Sequence, residues 1–143
     1  MLFAKKPRRI VRILVAEDEP LLAFDIEHNL SGQGFEIVAT VDSVSDAVAM
    51  MGSDRAIDLA LVDMTLVDGS GIDVARAAQR HGVQVMFVTG ECPVEARTLS
   101  AGCLSKPYPQ RDLTAAIDAL EKVLGGVVPK RLPASFSLFA TPA

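Results

Sequence analysis

Leu59-Ala60-Leu61-Val62-Asp63-Met64-Thr65-Leu66-Val67-Asp68-Gly69 sets a carboxylate directly after four apolar residues. A short continuous apolar run of this kind reads as a strand buried on both faces, as in a parallel sheet. Comparable runs recur at 10–15, 37–41 and 83–88 and, shorter, at Cys103-Leu104, each followed by a segment of helical pattern. This alternation predicts an α/β fold: a doubly wound, five-stranded parallel sheet with helices on both faces. In such a sheet the carboxyl ends of the strands share one edge, where ligands bind. Four strand ends would then meet: Glu17-Asp18 after the first run, Asp63 after the third, Thr89 closing the fourth and Lys106-Pro107 after the fifth.

Local signals agree with that plan. Ser43 with Asp46 and Ser70 with Asp73 have the S-x-x-D spacing, in which the serine caps free backbone N–H groups and the acid faces the positive helix end. The last helix is expected over 110–124, with Leu113, Ile117, Leu120 and Leu124 on one stripe against the sheet. Gly125-Gly126 ends it by supplying the left-handed conformation of a C-cap.

The 143 residues suit one domain, expected over 9–124 between a basic leader (1–8) and an apolar, proline-containing tail (125–143). Half the residues are hydrophobic, yet no apolar stretch approaches the ~20 residues that cross a bilayer, and no signal-peptide pattern opens the chain. A cytoplasmic protein without membrane attachment is expected. Lys5, Lys6, Arg8 and Arg9 are read as a solvated leader, with a nucleic-acid or partner contact as the alternative; setting these four positive charges aside takes the net charge from −4 to −8. An acidic body of that kind repels nucleic acid. Cys92 and Cys103 fit neither a CxxC pair nor a metal-ligand set and are read as small packing residues, a disulfide being unusual in a reducing compartment; a redox-sensitive thiol at Cys103 is the alternative. His28 and His81 have no partner at ligand spacing and are read as surface or helix-end residues.

Carboxylates, a hydroxyl and an ammonium at one sheet edge suit a divalent cation held by oxygen together with a phosphoryl group. A carboxylate with restricted solvent, such as Asp63, can attack phosphorus and form an acyl phosphate when a cation offsets the repulsion between anions. With these pieces in this order, the chain resembles the receiver domain of two-component response regulators, a flavodoxin-like fold, over roughly residues 9–124. The resemblance implies that Asp63 accepts a phosphoryl group from a histidine kinase or histidine phosphotransfer protein. It implies Mg²⁺ (or Mn²⁺) held by Asp18, Asp63 and the backbone carbonyl of Thr65, with Glu17 acting directly or through water. Lys106 would bind a phosphoryl oxygen and pair with Asp63 beforehand, and Thr89 would move to hydrogen-bond the phosphoryl group. A cis Lys106-Pro107 peptide is also implied. The protein would be a phosphoacceptor that promotes its own phosphotransfer and dephosphorylation rather than a conventional enzyme.

Four positions depart from the family pattern. Cys103 stands where a switching Tyr or Phe is usual, Val67 replaces a proline, Glu17 replaces the commoner Asp, and Glu91 follows Thr89-Gly90 where a Phe-Ala-Thr-Gly-Tyr-like subset has Tyr. The switch is therefore expected to run through the loop 90–93 and the helix after it. With no output domain in the sequence after residue 124, the message is expected to pass to an unknown downstream protein, or the chain drains phosphate from a kinase. A phosphorylation-independent binding module is the alternative. An aspartyl-phosphate-forming phosphatase of the haloacid dehalogenase kind is remote, since Thr65 stands where its second acid would be. The tail reads first as a frayed end; the alternative is that Leu132, Phe136 and Phe139 dock as a short helix or strand on the protein's own surface or on a second copy in a homodimer.

Overall fold

The computed structural model describes residues 7–142. Lys5 and Lys6 of the basic leader lie outside the described residues. The chain runs β1 (Arg12–Ala16), α1 (Pro20–Gly32), β2 (Glu36–Val41), α2 (Val44–Met51), β3 (Leu59–Val62), β4 (Thr65–Leu66), β5 (Gly69–Ser70), α3 (Gly71–His81), β6 (Gln84–Thr89), α4 (Ala96–Leu99), β7 (Gly102–Ser105), α5 (Gln110–Leu124) and β8 (Phe136–Leu138).

Among the described residues, the main sheet has the order β2-β1-β3-β6-β7-β8. The first five are parallel, as the apolar runs require, and register Ala16 with Val62, Val62 with Phe87 and Thr89 with Ser105. Period-two alternation divides the core. Ile13, Val15, Leu59, Leu61, Met86 and Val88 face α1 and α5, while Leu14, Ala16, Ala60, Val62, Val85 and Phe87 face the layer of α2, α3 and α4. In α5, Leu113, Ile117 and Leu120 of the expected stripe are buried and Leu124 packs at its margin.

The helix ends follow the sequence signals. Ser43 accepts a hydrogen bond from the Asp46 N–H at the start of α2, and Ser70 accepts one from the Ile72 N–H at the start of α3. After α5, Gly126 takes φ +81°, in the left-handed region where glycine is free of Cβ strain. Val127 N–H then closes back on the Lys122 carbonyl.

Two expectations need correction. Arg8 and Arg9 are not a free solvated leader: Arg8 pairs with Asp118 at 2.9 Å and lies over the Phe35 ring, and the Arg9 and Ile10 N–H groups donate to Glu121. The approach to β1 is thus anchored on α5 by carboxylates one turn apart. Cys92 and Cys103 are not just small packing residues either; they are joined in a disulfide, with Cα atoms 6.4 Å apart. Position 103 lies in β7, and the loop leaving the neighbouring strand β6 returns Cys92 above it, a proximity that eleven residues of sequence do not announce.

The sheet also gains a strand beyond the five expected, so the tail is not a frayed end. β8, from the tail, pairs antiparallel with the outer edge of β7, registering Gly102 with Leu138, Cys103 with Ser137 and Leu104 with Phe136. It satisfies backbone groups that an edge strand would leave open. Phe136 is buried on the α1/α5 face and Phe139 packs against the opposite face, while Leu132 stays 41% exposed. The odd spacing of the two phenylalanines sends them to opposite sides because the tail is a strand and not a helix.

Candidate phosphoacceptor site

The parallel register brings four strand ends level, so the residues after them share one cleft. Glu17 and Asp18 follow β1, Asp63 follows β3, Thr89 closes β6 and Lys106 follows β7. The backbone holds these ends together: Asp63 N–H donates to Ala16 O at 2.9 Å and Lys106 N–H to Thr89 O at 2.8 Å. Lys106–Pro107 is a cis peptide. The cleft, about 750 Å³, is lined by Asp18, Asp63, Thr65, Thr89 and Lys106, with Gly90 and Glu91 at its rim.

Lys106 is the centre of the charge arrangement. Its Nζ lies 2.9 Å from Glu17 Oε1 and 3.1 Å from Asp63 Oδ2. Asp63 is only 7% exposed and Glu17 only 3%, so the ammonium bridges two carboxylates with little water to screen them. Burial draws the Lys106 pKa down, but the hydrogen bonds and charges of Glu17 and Asp63 outweigh it and leave the value raised, so the lysine stays cationic. Burial pushes the Glu17 carboxyl up to about 7, helped by Asp63 and opposed by the Glu19 N–H and by Lys106.

Glu17, Asp18 and Asp63 each offer a carboxylate oxygen within 4.8 Å of the others. Ionised together, three carboxylates against one lysine would leave two uncompensated negative charges, and a hard divalent cation with oxygen ligands matches both the donors and that charge. Thr65, on the short ladder of β4 with β5, is exposed at the cleft, and its N–H approaches Asp63 Oδ1 at 3.5 Å. Thr89 is buried at its wall.

Two supporting residues were not assigned roles from sequence. A Cβ at Gly71 would collide with the Asp63 carbonyl oxygen, so the first residue of α3 must be glycine for that helix to approach Asp63 so closely. Glycine directly after the capping Ser70 was the available signal. Asp68 accepts hydrogen bonds from Val44 and Ser45 N–H, at 2.6 and 3.1 Å, which hold its carboxyl below the usual carboxylate value. It thereby caps the start of α2 from the turn between β4 and β5. Together with the Val67 N–H to Asp42 carbonyl bond, this pins the loop after Asp63 without the proline that Val67 replaces. His28 and His81 stand outside the site; both are exposed, and His28 stacks on Phe24.

An acidic cleft bridged by a lysine, at the carboxyl edge of a doubly wound parallel sheet, matches the architecture of receiver domains, which are phosphoacceptor signalling domains. The response regulator receiver domain family model matches residues 13–118, and the chain belongs to that family. Receiver domains of two-component systems accept phosphate on an aspartate, bind Mg²⁺ at an acidic pocket and work with histidine kinases and downstream effectors.

Among curated relatives, the phyllosphere-induced regulator PhyR of Methylorubrum extorquens is 30% identical over 110 residues, covering 73% of this chain and 41% of that protein. The cell cycle transcriptional regulator CtrA of Caulobacter vibrioides is 29% identical over 117 residues, covering 77% of this chain and 50% of that one. The chain thus spans about half the length of the curated relatives it matches. A response regulator receiver protein from Sinorhizobium medicae superimposes with a TM-score of 0.69 at 30% identity, covering 78% of this chain and 94% of that one. Among the described residues, no helix is long and apolar enough to cross a membrane.

Proposed function

We infer that this chain is a Mg²⁺-dependent phosphoacceptor in which Asp63 takes a phosphoryl group from a phosphohistidine on a histidine kinase or histidine phosphotransfer protein. An Asp63 carboxylate oxygen attacks phosphorus as the P–N bond to the donor imidazole breaks, giving an acyl phosphate and a free histidine. The observation that carries this reading is Lys106 Nζ bridging Asp63 and Glu17 at the junction of three strand ends.

Asp18, Asp63 and the Thr65 backbone carbonyl are the proposed cation ligands, with Glu17 binding directly or through water. The cation supplies charge neutralisation for the incoming anion. Lys106, freed from Asp63 by the reaction, takes a phosphoryl oxygen, and Thr89 supplies a hydroxyl donor. Phosphoryl transfer demands positioning and compensating charge more than covalent help, and these side chains provide both. The same arrangement serves attack by water, so the acyl phosphate is expected to hydrolyse on the domain itself. The receiver unit is assigned to 9–124, with 125–143 as an appended tail.

The test is mass spectrometry after incubation with acetyl phosphate and Mg²⁺. The wild type should gain one phosphoryl group at Asp63, and Asp63→Ala should gain none while keeping its fold. Equal phosphorylation of Asp63→Ala would overturn the assignment.

A further inference from the structure

The Cys92–Cys103 bond lies outside the phosphoacceptor chemistry but next to its moving parts. Cys92 is in the loop after Thr89, between cleft residues Gly90, Glu91 and Pro93, and Cys103 is in β7, three residues before Lys106. The bond therefore closes a ring around the rest of that loop and the whole of α4. α4 has a single turn with Ala96 buried and Leu99 partly buried against the core, so packing holds the segment at α4 and Ala101 and leaves the loop before α4 with little besides Cys92. The two sulfurs differ in access. Cys103 is fully buried between β6 and β8, whereas Cys92 is half-buried, its Sγ 3.9 Å from Ser105 Oγ beside the cleft.

We propose that Cys92 and Cys103 form a reversible thiol–disulfide modification site, reduced by a dithiol that enters at Cys92, whose state sets the freedom of the loop and helix from Gly90 to Ala101. A thiolate of the reductant attacks Cys92 Sγ. The Cys92–Cys103 bond breaks, its electron pair passes to Cys103 Sγ, and that sulfur is protonated. The second thiolate of the reductant then attacks its own sulfur in the mixed disulfide and releases Cys92 as a thiol. Two electrons and two protons pass to the protein, and the dithiol leaves as a disulfide; oxidation is the reverse exchange with a disulfide-bearing partner. Attack at Cys103 is closed because that residue is fully buried in the core.

The oxidised form holds the loop to β7 and so restrains displacement of the segment after Thr89. The reduced form leaves it held at its far end, by Ala96, Leu99 and the Ala101 backbone bonds to Val85 and Phe139, with no covalent tie at Cys92. The effect on signalling rests on the phosphoacceptor reading; the thiol chemistry and the loop mobility do not.

The experiment uses the full chain, equilibrated under native conditions with either oxidised or reduced dithiothreitol, then denatured and alkylated with N-ethylmaleimide. The oxidised sample should take up no label and the reduced sample two. Two labels in both samples, or none in both, would overturn the proposal. Amide exchange within 90–101, with no phosphoryl donor present, should be several-fold faster in the reduced protein, and Cys92→Ser should match the reduced protein without any reductant. Equal exchange in the two redox forms refutes the control of the loop. A beryllofluoride adduct should extend the faster exchange in the reduced protein only. Failure of acetyl phosphate to modify Asp63 in either redox form would instead sink the phosphoacceptor reading, with the label counts and basal exchange unaffected.

Discussion

Phe136→Ala should destabilise the protein by an amount set by how β8 is held. Phe136 is 5% exposed and its ring lies on Gly102, so close that a Cβ there would sit 2.5 Å from its Cζ and 2.8 Å from the Ser137 carbonyl. Truncating a well-packed core phenylalanine costs about 3–5 kcal/mol. A terminal strand can leave its site, however, so the loss cannot exceed the free energy of docking β8, and we expect about 2–4 kcal/mol. For a chain of this length the unfolding entropy converts each kcal/mol into roughly 3 °C of Tm, so the fall should be about 6–12 °C.

Gly102→Ala attacks the same contact from the other side and should loosen β8 in a similar way. Made in the Phe136→Ala background it should cost less than alone, since the ring is gone and only the Ser137 carbonyl remains in conflict. Calorimetry on the single and double variants gives the coupling. Exchange at the Ser105 amide, which donates to Ser135 O in the docked state, reports directly on the tail. Truncation after Gly126 should speed that exchange and lower Tm by at least as much as Phe136→Ala. A Tm for Phe136→Ala within about 1 °C of wild type, with Ser105 exchange unchanged, would refute the reasoning.

Three further outcomes are expected. Because Glu17 titrates near 7 in the folded protein, against 4.5 as its ordinary value, the fold binds this proton more tightly than the unfolded chain does. Its contribution to stability is therefore greatest below pH 4.5 and is lost as pH rises towards 7; without divalent cation, Glu17→Gln should gain on wild type across that window, by up to about 3 kcal/mol. Urea unfolding at several pH values checks it, and a difference that stays flat with pH contradicts it. Lys106→Ala should destabilise the cation-free protein by about 1–3 kcal/mol, since it strands Glu17 and Asp63 in a poorly solvated site, and Mg²⁺ should recover much of that loss; a thermal shift with Mg²⁺ no larger than that of wild type would contradict it. Asp18→Ala should abolish the response to Mg²⁺ titration, and an unchanged response would place the cation elsewhere.

The parts legible in the sequence are those governed by local rules. Buried parallel strands must be apolar on both faces, so 59–62 and 83–88 could be located, and the order of strand and helix then forced Glu17, Asp18, Asp63, Thr89 and Lys106 towards one edge. Ser43 and Ser70 could be assigned because a cap is satisfied within its own turn. What was not legible depends on contacts between distant segments. Asp68 caps a helix more than twenty positions earlier in the chain, Glu121 receives the approach to β1, and the Cys92–Cys103 pair closes around a helix of one turn. The tail carried a signal, its phenylalanines, but their spacing fitted a helix as well as a strand, and only the open edge of β7 decides between them.

That edge gives β7 its importance. Within four residues it pairs with β6 on one side and β8 on the other, carries Cys103 of the disulfide, and runs directly into Lys106. The Ser105 and Lys106 amides, adjacent in the chain, are bound to the tail and to the Thr89 carbonyl respectively. In many receivers the position of Cys103 holds an aromatic ring that rotates; here the side chain has no rotation left, being bonded at its sulfur and packed between strands. A displacement of Thr89 can therefore leave the site along two routes, the loop to Cys92 or the Lys106 backbone to β7 and its tail. The disulfide joins the ends of these routes, so in the oxidised protein they are restrained together, and in the reduced protein the loop is free to respond without the tail.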